Sequence, residues 1–570
     1  MDKIRLLLGR GYFPVQLPPG FTTTSFAKRY KTVSALWPAG QKRNSPERFS
    51  VARSSYNRRV TSILNPVSYF HLCQEVAIYW AKIQNHFSRS KFSFSRPKLE
   101  RGLRAIKINR FSDVHDHKIL AASGYRYTLV TDISRFFPTI YTHSIPWALH
   151  GKAIAKTQRA KVSQYFGNIL DAKSMAIQDF QTMGLPIGPD TSHVIAEIVG
   201  TAIDRELKAE LGVWPAGFRY VDDFYLFFNK RGEAERALSI LSRVVGGYEL
   251  QINAQKTRII ETKELIEESW KYKLKGMAIA ESRAAQRNDI HKFFENLLGL
   301  EKSYRDESVV KYGLKIISSK VIKRSNWRIF ESYLLHCGFS FPNTMQVVAS
   351  FLTTYARYGY DVNREAVARF CNTTVSVHAP SDNHSEVAWA LWILLELKLP
   401  LNHDAVQALE GISSSACLLL ALAVLSSHAN GPSISVAKLS PYATTDALFG
   451  DGWLLAYEGG RRKWLGNSST SFISADPYFS VLMANNVNFF DPLRKLDLLF
   501  AIKDTASFND ALFDSDKDLA DFVEFDEVDE EYFDQGEEDS DDDDEKDEDQ
   551  EDDTEEEAEQ HLFDDDLMHW

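Results

Sequence analysis

The pattern of apolar and polar positions changes twice along the chain. Residues 1 to about 60 are rich in Arg, Ser and Pro and hold the turn-prone run GYFPVQLPPGF from Gly11 to Phe21, which predicts an extended arm with little regular structure. From Ser68 to about Gln84, Leu72, Val76, Tyr79 and Trp80 recur at helical spacing, with Asn65-Pro66 as a start signal. Residues 125–285 then alternate between the two periods. Tyr127 to Asp132 is a short β-rich run, Asp190 to Ala209 reads as a helix, Phe218 to Asn229 as two strands around Asp222-Asp223, and Glu233 to Val245 as another helix. This mixture predicts an α/β or α+β domain with an antiparallel element. From about Asn288 to Leu465 the strand signal fades and helices follow one another, among them Val309 to Val321, Met345 to Tyr358, Ser385 to Leu397 and Ser414 to Leu425. Successive helices with short loops predict a bundle or an α-solenoid, although no strict repeat period is visible.

Charge divides the chain differently. Residues 521–570 hold 29 acidic residues against one lysine, so that this tail carries −28 and the first 520 residues +17 of a total of −11. A basic body with an acidic tail points to a nucleic-acid surface, with scattered solvated lysines as the plain alternative. After about Asp514 the sequence is too polar to bury a core, and disorder is expected. The tail could act as a tethered polyanion competing for the basic cleft, or only solubilise the protein. The four cysteines, Cys73, Cys337, Cys371 and Cys417, form no CxxC pair, which argues against a disulfide framework or a zinc site and fits a reducing compartment. No secretory signal and no run long enough to span a bilayer is apparent, so no membrane partner is expected.

Two stretches carry chemistry. In FRYVDDFYLF, from Phe218 to Phe227, two adjacent carboxylates sit between β-formers, at the turn of a hairpin. Aspartates there also serve turn geometry alone. In LVTDISRFFP, from Leu129 to Pro138, a strand ends on Asp132. A lone aspartate in that place is commonly a helix cap. Taken together, one carboxylate on a strand and two on an adjacent hairpin supply what hydroxyl attack on a triphosphate requires, two Mg²⁺ ions bridged by oxygen ligands. The group Asp113, His115, Asp116 and His117 has ligand-like spacing, but nothing distant completes a metal site. His143 reads as a structural hydrogen-bonding residue, and the tryptophans of the helical half as core.

These stretches resemble the palm of reverse transcriptases. Asp132 matches the first catalytic motif and Tyr220-Val221-Asp222-Asp223 the YxDD motif. GLPIGPDTS, from Gly184 to Ser192, resembles the nucleotide-binding turn, and LQINAQKT, from Leu250 to Thr257, the fourth motif with its lysine. Further segments, including GYFPVQLPPGF, FFPTIYTHSIPWALHGK from Phe136 to Lys152, SEVAWALW from Ser385 to Trp392 and WLLAYE from Trp453 to Glu458, are similar to bacterial abortive-infection and antiphage-defence reverse transcriptases.

The resemblance implies an α+β right-hand fold. Residues 61–285 would be fingers and palm, following the arm at 1–60. An all-α thumb and helical-repeat domain would occupy 286–513, and the acidic tail 514–570. It implies Asp132, Asp222 and Asp223 with the backbone at Ile133 as ligands of two Mg²⁺ ions, with Mn²⁺ able to substitute. Lys256 would act at the leaving pyrophosphate. Phe137, Pro186, Gly188 and Arg104 would bind the nucleotide, the Phe137 ring excluding a 2′-hydroxyl, and Arg101, Lys107 and Arg110 would grip nucleic acid. It further implies an RNA template or non-coding RNA, dNTPs and a DNA product as partners, a bacterial cytoplasmic location and a defence role, and leaves a homo-oligomer open. Ile187 stands where many reverse transcriptases have Gln. That keeps a template-independent or protein-primed nucleotidyl transferase as an alternative; a non-catalytic nucleic-acid-binding protein is the alternative of another class.

Overall fold

The computed structural model describes residues 1–502, apart from 41, 266–269, 278, 280–282, 429–430 and 467–469, together with 523–524. Its strands are β1 (Glu47–Ala52), β2 (Arg58–Ile63), β3 (Lys98–Leu99), β4 (Ile106–Lys107), β5 (Tyr127–Thr131), β6 (Ala216–Tyr220), β7 (Asp223–Phe228) and β8 (Arg258–Glu261), with two further two-residue strands near the carboxyl end. The central sheet is antiparallel with the order β6-β7-β5-β8. The helix Arg231–Gly246 buries Ala234, Ala237, Ile240, Leu241, Val244 and Val245, an apolar stripe at helical spacing. It packs on β5, β7 and β8, and the helix Asp190–Leu211 packs against it. The expected helix after Asn65 forms as Pro66–Ile78, continued by Trp80–Phe87. The Asn65 side chain accepts from Val67 N–H at 3.1 Å, and Pro66 sits where a helix needs no N–H.

The helical half is built as two rows. Helices Met345–Arg357, His384–Glu396, Ser415–Ser426 and Trp453–Arg461 pack each on the next, and Arg324–Ser340, Arg364–His378 and His403–Leu409 form a second row beside them. This is the solenoid arrangement. Its helices differ in length and their starts are unevenly spaced, which is why the sequence shows no period. In the first, inner row the helix Ser415–Ser426 is apolar all round: every residue from Ser415 to Val424 is buried. Trp327, Trp389, Trp392 and Trp453 are core residues.

Residues 1–60 depart from the expected extended arm. They hold helices Lys3–Arg10 and Thr24–Leu36 and the strand β1, which pairs with β2. Phe26, Ala27, Tyr30 and Val33 lie on one buried face, a helical spacing that the Arg-, Ser- and Pro-rich composition obscured. The Gly11–Phe21 run between the helices is irregular, and it is wedged into the body. Trp389 Nε1 donates to the Gln16 carbonyl at 3.0 Å, and Phe21 packs on Phe490. The disorder expected from residue 514 lies outside the described residues, except that Val523–Glu524 pairs with Ala501–Ile502. All four cysteines are free and buried. Among the described residues no helix is long and apolar enough to cross a membrane.

Candidate active site

The carboxylates come together because β5 is central. It pairs with β7 in a register that ends on Thr131 opposite Phe224, so the next step brings Asp132 level with Asp223. Beyond the strand, Ile133 N–H donates to the Asp222 carbonyl at 3.3 Å, Asn253 N–H donates to the Asp132 carbonyl at 3.0 Å, and Ser134 N–H donates to the Gln251 carbonyl at 2.9 Å. The end of β5, the turn between β6 and β7 and the segment 251–253 before β8 are thereby tied together around Asp132. Asp132 and Asp222 are buried, and Asp223 is half-buried.

The hairpin that presents Asp222 is held in an unfavourable shape. Tyr220 pairs with Asp223, leaving Val221 and Asp222 as a two-residue turn, and Val221 has φ 51°. A β-branched residue in the left-handed region costs on the order of 1–3 kcal/mol and persists only where its surroundings fix it. Here Val221 N–H donates to Ser95 Oγ at 2.7 Å and its carbonyl accepts from Arg219 at 2.7 Å. Arg219 is wholly buried. Its guanidinium donates to Glu197 (3.0 Å twice) and to Asp204 (2.8 and 2.9 Å), both on the helix Asp190–Leu211, and Ser90 Oγ completes Asp204 at 2.7 Å. Burial pulls the Arg219 guanidinium down, but Asp204 and Glu197 outweigh it and hold its pKa raised. Gly200 makes the room, since a Cβ there would lie 2.7 Å from Arg219 Cζ. The sequence reading did not assign Arg219, Glu197, Asp204 or Ser95 a role. The available signal was a charged residue between apolar ones in a strand, together with two acids on the apolar face of a helix.

Lys256 lies beside Asp132. Its Nζ lies 3.2 Å from Asp132 Oδ2. Burial pushes the Asp132 carboxyl up, with Lys256 opposing. Asp132 Oδ1 is buried with no hydrogen-bond partner among the described residues. That oxygen, in a set of hard carboxylate donors, fits a divalent cation of the Mg²⁺ kind. Among the described residues no three His, Cys, Asp or Glu side chains converge closely enough to hold an ion as they stand. The cluster Asp113 to His117 is otherwise employed: His117 stacks on Phe94 at 4.1 Å, and Asp113 caps its own helix through Arg110 N–H at 3.1 Å.

A small cleft adjoins the hairpin, lined by residues that include Phe136, Ile108, His193 and Val221. Phe137 is buried beside it, edge-on to His193 at 5.2 Å, and its carbonyl accepts from Leu185 N–H at 2.7 Å. That bond ties the turn at Gly184–Ser192 to the segment after Asp132. Within the turn the Pro186 carbonyl accepts from Ser192 Oγ at 2.5 Å, and Gly188 has φ 116° with Pro14 where a Cβ would go. The Ile187 carbonyl accepts from Ser62 N–H on β2 at 2.9 Å.

Arg104 differs from its expected role. Its guanidinium is occupied by the Asp190 carboxylate and by the carbonyls of Phe13 and Gly188, each at 2.7 Å. Asp190 also accepts from Ala105 and Ile106 N–H at 2.9 Å each. Arg104 therefore locks the turn to the amino-terminal segment and to β4, rather than presenting a free cation to a nucleotide. Arg101, Lys107 and Arg110 are exposed along the β3–β4 hairpin and its end. His143 Nδ1 meets Asp171 Oδ2 at 2.6 Å, away from the aspartates.

Residues 72–279 match the family described as reverse transcriptase (RNA-dependent DNA polymerase). No curated protein sequence matches the chain. Among solved structures, apo telomerase from Candida tropicalis aligns at 11% identity over 71% of this chain and 72% of that one, with a TM-score of 0.31. Telomerase from Candida albicans with a TWJ fragment of telomeric RNA aligns at 12% identity over 68% and 67%, with a TM-score of 0.28.

Proposed function

We propose, from the premise that residues 72–279 form a reverse-transcriptase domain and that the chain is an RNA-directed DNA polymerase, that it extends a 3′-hydroxyl or a protein hydroxyl with dNTPs at the edge of the central sheet. The observation that carries this reading is the register that sets Asp132 level with Asp223 while the Asp222 carbonyl is bonded to Ile133 N–H. Asp132, Asp222, Asp223 and the backbone at Ile133 would hold Mg²⁺, with Mn²⁺ able to replace it. Such ions, when bound, lower the pKa of the attacking hydroxyl and neutralise charge on the phosphates.

The chain's own residues then position and shield. Arg219 and Ser95 hold the strained turn so that Asp222 stays at the strand end. Lys256, 3.2 Å from Asp132, would lend its proton to the departing pyrophosphate. Phe137 is the ring that would meet a 2′-hydroxyl. Arg101, Lys107 and Arg110 offer exposed charge to a template. The motifs shared with antiphage-defence enzymes, from GYFPVQLPPGF to WLLAYE, support a role in bacterial defence in the cytoplasm.

The test is Asp222→Asn with Asp223→Asn. Extension of a primed RNA template by dNTPs should fall by about 10³-fold or more, since each donor to the reacting charge is worth on the order of 10²–10³, with the melting temperature retained. Incorporation surviving at a tenth of the wild-type rate would remove the assignment. Extension of a primer without template, in the wild type, would favour the template-independent alternative.

A further inference from the structure

Between the helices Ser144–His150 and Phe166–Ala176 the chain puts out a segment, residues 151–164, that buries no side chain; every residue in it except Ala155 is exposed. Its path is nonetheless fixed. Asn168 Nδ2 donates to the carbonyls of Gln158 and Ala160 at 2.8 and 2.9 Å, and Lys82 Nζ donates to that of Ser163 at 3.0 Å. The charge of this segment has one sign. Lys152, Lys156, Arg159 and Lys161 lie in it, and no acidic residue occurs anywhere from 133 to 170. Lys152 meets Glu249 at 3.7 Å, whereas Lys156, Arg159 and Lys161 have no carboxylate partner among the described residues. Burial pushes the ammonium of Lys173 down, and Lys161 adds to this against Glu75. Lys152 and Lys156 stand one turn apart on the helix Lys152–Thr157, which buries nothing. Like charges at that spacing destabilise a helix, and one so short needs a partner to sustain it. Ile154 and Val162, each 47% exposed, flank the unpaired cations.

A single nucleic-acid strand is gripped by cations together with aromatic rings. Residues 151–164 hold no aromatic, and Ile154 and Val162 have no counterpart in a phosphate backbone. The matching chemistry is in the chain itself. Val523–Glu524 pairs with Ala501–Ile502, which returns the chain to the body at residue 524. Residues 525–570, which lie outside the described residues, carry 27 acidic residues and one lysine, net −26. They end in HLFDDDLMHW, where Asp564, Asp565 and Asp566 stand between Phe563 and Leu567. This is charge flanked by apolar residues, the same arrangement as at 154–162 with the opposite sign. The 46 residues after Glu524 extend to about 150 Å at most, against a radius of gyration of about 23 Å for a body of this size, so every face is within reach. Because both parts belong to one chain, weak contacts suffice. We propose that residues 151–164 are the docking surface of the chain's own carboxy-terminal segment, 561–570. Its three aspartates lie against Lys156, Arg159 and Lys161, and Phe563 and Leu567 against Ile154 and Val162. Docked there, the acidic run before it shields these cations from other polyanions. Nothing in this contact depends on the polymerase reading.

The test treats the full chain with a carbodiimide, which joins a carboxylate to a lysine amine in contact with it, and maps the joined peptides by mass. Asp564, Asp565 or Asp566 should be joined to Lys156 or Lys161, and not to Lys98 or Lys107, which are exposed as well. The yield should be independent of protein concentration and should fall as salt rises. Phe563→Ser with Leu567→Ser, which leaves every charge in place, should lower it by about tenfold with the melting temperature unchanged, the loss expected when two partly buried apolar side chains are removed. Joining spread over all exposed lysines, or an unchanged yield in that variant, overturns the proposal and leaves a diffuse polyanion. Joining between isotopically distinct chains, rising with concentration, overturns it in favour of a second copy's tail. If an amine-reactive ester modifies Lys156 and Lys161 freely until single-stranded RNA or DNA is added, the surface belongs to nucleic acid and the proposal fails.

Discussion

The palm and the helical half are held together by different means. At the sheet edge, position is fixed by polar groups taken out of water. Arg219 is fully buried with Glu197 and Asp204, Val221 is kept in the left-handed region, and the end of β5 shares hydrogen bonds with the β6–β7 turn and the segment before β8 around Asp132. In the helical half the helix Ser415–Ser426 of the inner row is buried from Ser415 to Val424 chiefly by apolar contact, although Glu386 and Glu458 in its neighbours are buried partners of Arg58 and Arg462. Apolar burial supplies stability without fixing any one atom, because it scales with area and has no direction. Buried charge costs desolvation and returns geometry, because each oxygen must sit at its donor. A catalytic edge needs the second kind of order and a scaffold the first. The two meet at β1, where Glu47 reaches from the amino-terminal region to cap the helix Ser415–Ser426. It accepts from Ser414 Oγ at 2.7 Å and from Ala416 N–H at 3.1 Å, as well as from Ser415.

Substitutions in the two regions should therefore fail differently. Arg219→Leu leaves two buried carboxylates unpaired and should cost about 3–5 kcal/mol. It should also free the Val221 turn, so polymerisation is lost even at temperatures where chemical denaturation shows a folded protein. Leu419→Ala in the inner row should cost about 2–5 kcal/mol through its cavity. Polymerisation per folded molecule should remain within a few-fold, measured below the melting transition. If Leu419→Ala abolished activity in a folded protein, the separation between scaffold and catalytic edge would be wrong.

Smaller effects sharpen the comparison. Phe137→Val should admit ribonucleotides, shifting the ratio of dNTP to rNTP incorporation about tenfold or more, since one steric contact in a fitted site is worth ~1–3 kcal/mol. Single-nucleotide extension measures it. Phe136→Val, altering the cleft lining beside it, is the matched control, and an unchanged ratio for Phe137→Val would make that ring packing only. The smallest effect is a pH slope. Burial raises the Glu47 carboxyl to about 7, against the hydroxyls and N–H that favour its charge. A carboxyl with a raised folded-state pKa binds more protons folded than unfolded. Its contribution to stability is therefore greatest below the ordinary carboxylate range and is lost as pH rises toward about 7. Glu331, raised to about 7 chiefly by burial, adds a slope of the same sign. Denaturant unfolding between pH 5 and 8 should thus fall less steeply in Glu47→Gln than in the wild type; equal slopes would mean that Glu47 stays charged throughout.

Much of the site was legible because its signals are local. The strand before Asp132, the two strand runs around Asp222-Asp223 and the helices beginning near Asp190 and Glu233 show their period within a few residues of sequence. Lys256 lies two residues before β8, and the antiparallel sheet carried it to Asp132. The row of helices from Met345 to Arg461 was legible as helices but not as a solenoid, because stacking depends on faces rather than on spacing.

What the sequence by itself determined is the candidate site, three aspartates and a lysine on alternating strands and helices. Only the tertiary structure decided which charges remain available. Arg104 and Arg59 look alike in sequence, both basic residues in hairpins before the palm. Asp190, 86 residues further on, takes the first, while Nη2 of the second is buried without a hydrogen-bond partner among the described residues. Local patterns cannot carry that distinction, because it depends on which distant carboxylate the fold brings within hydrogen-bond reach.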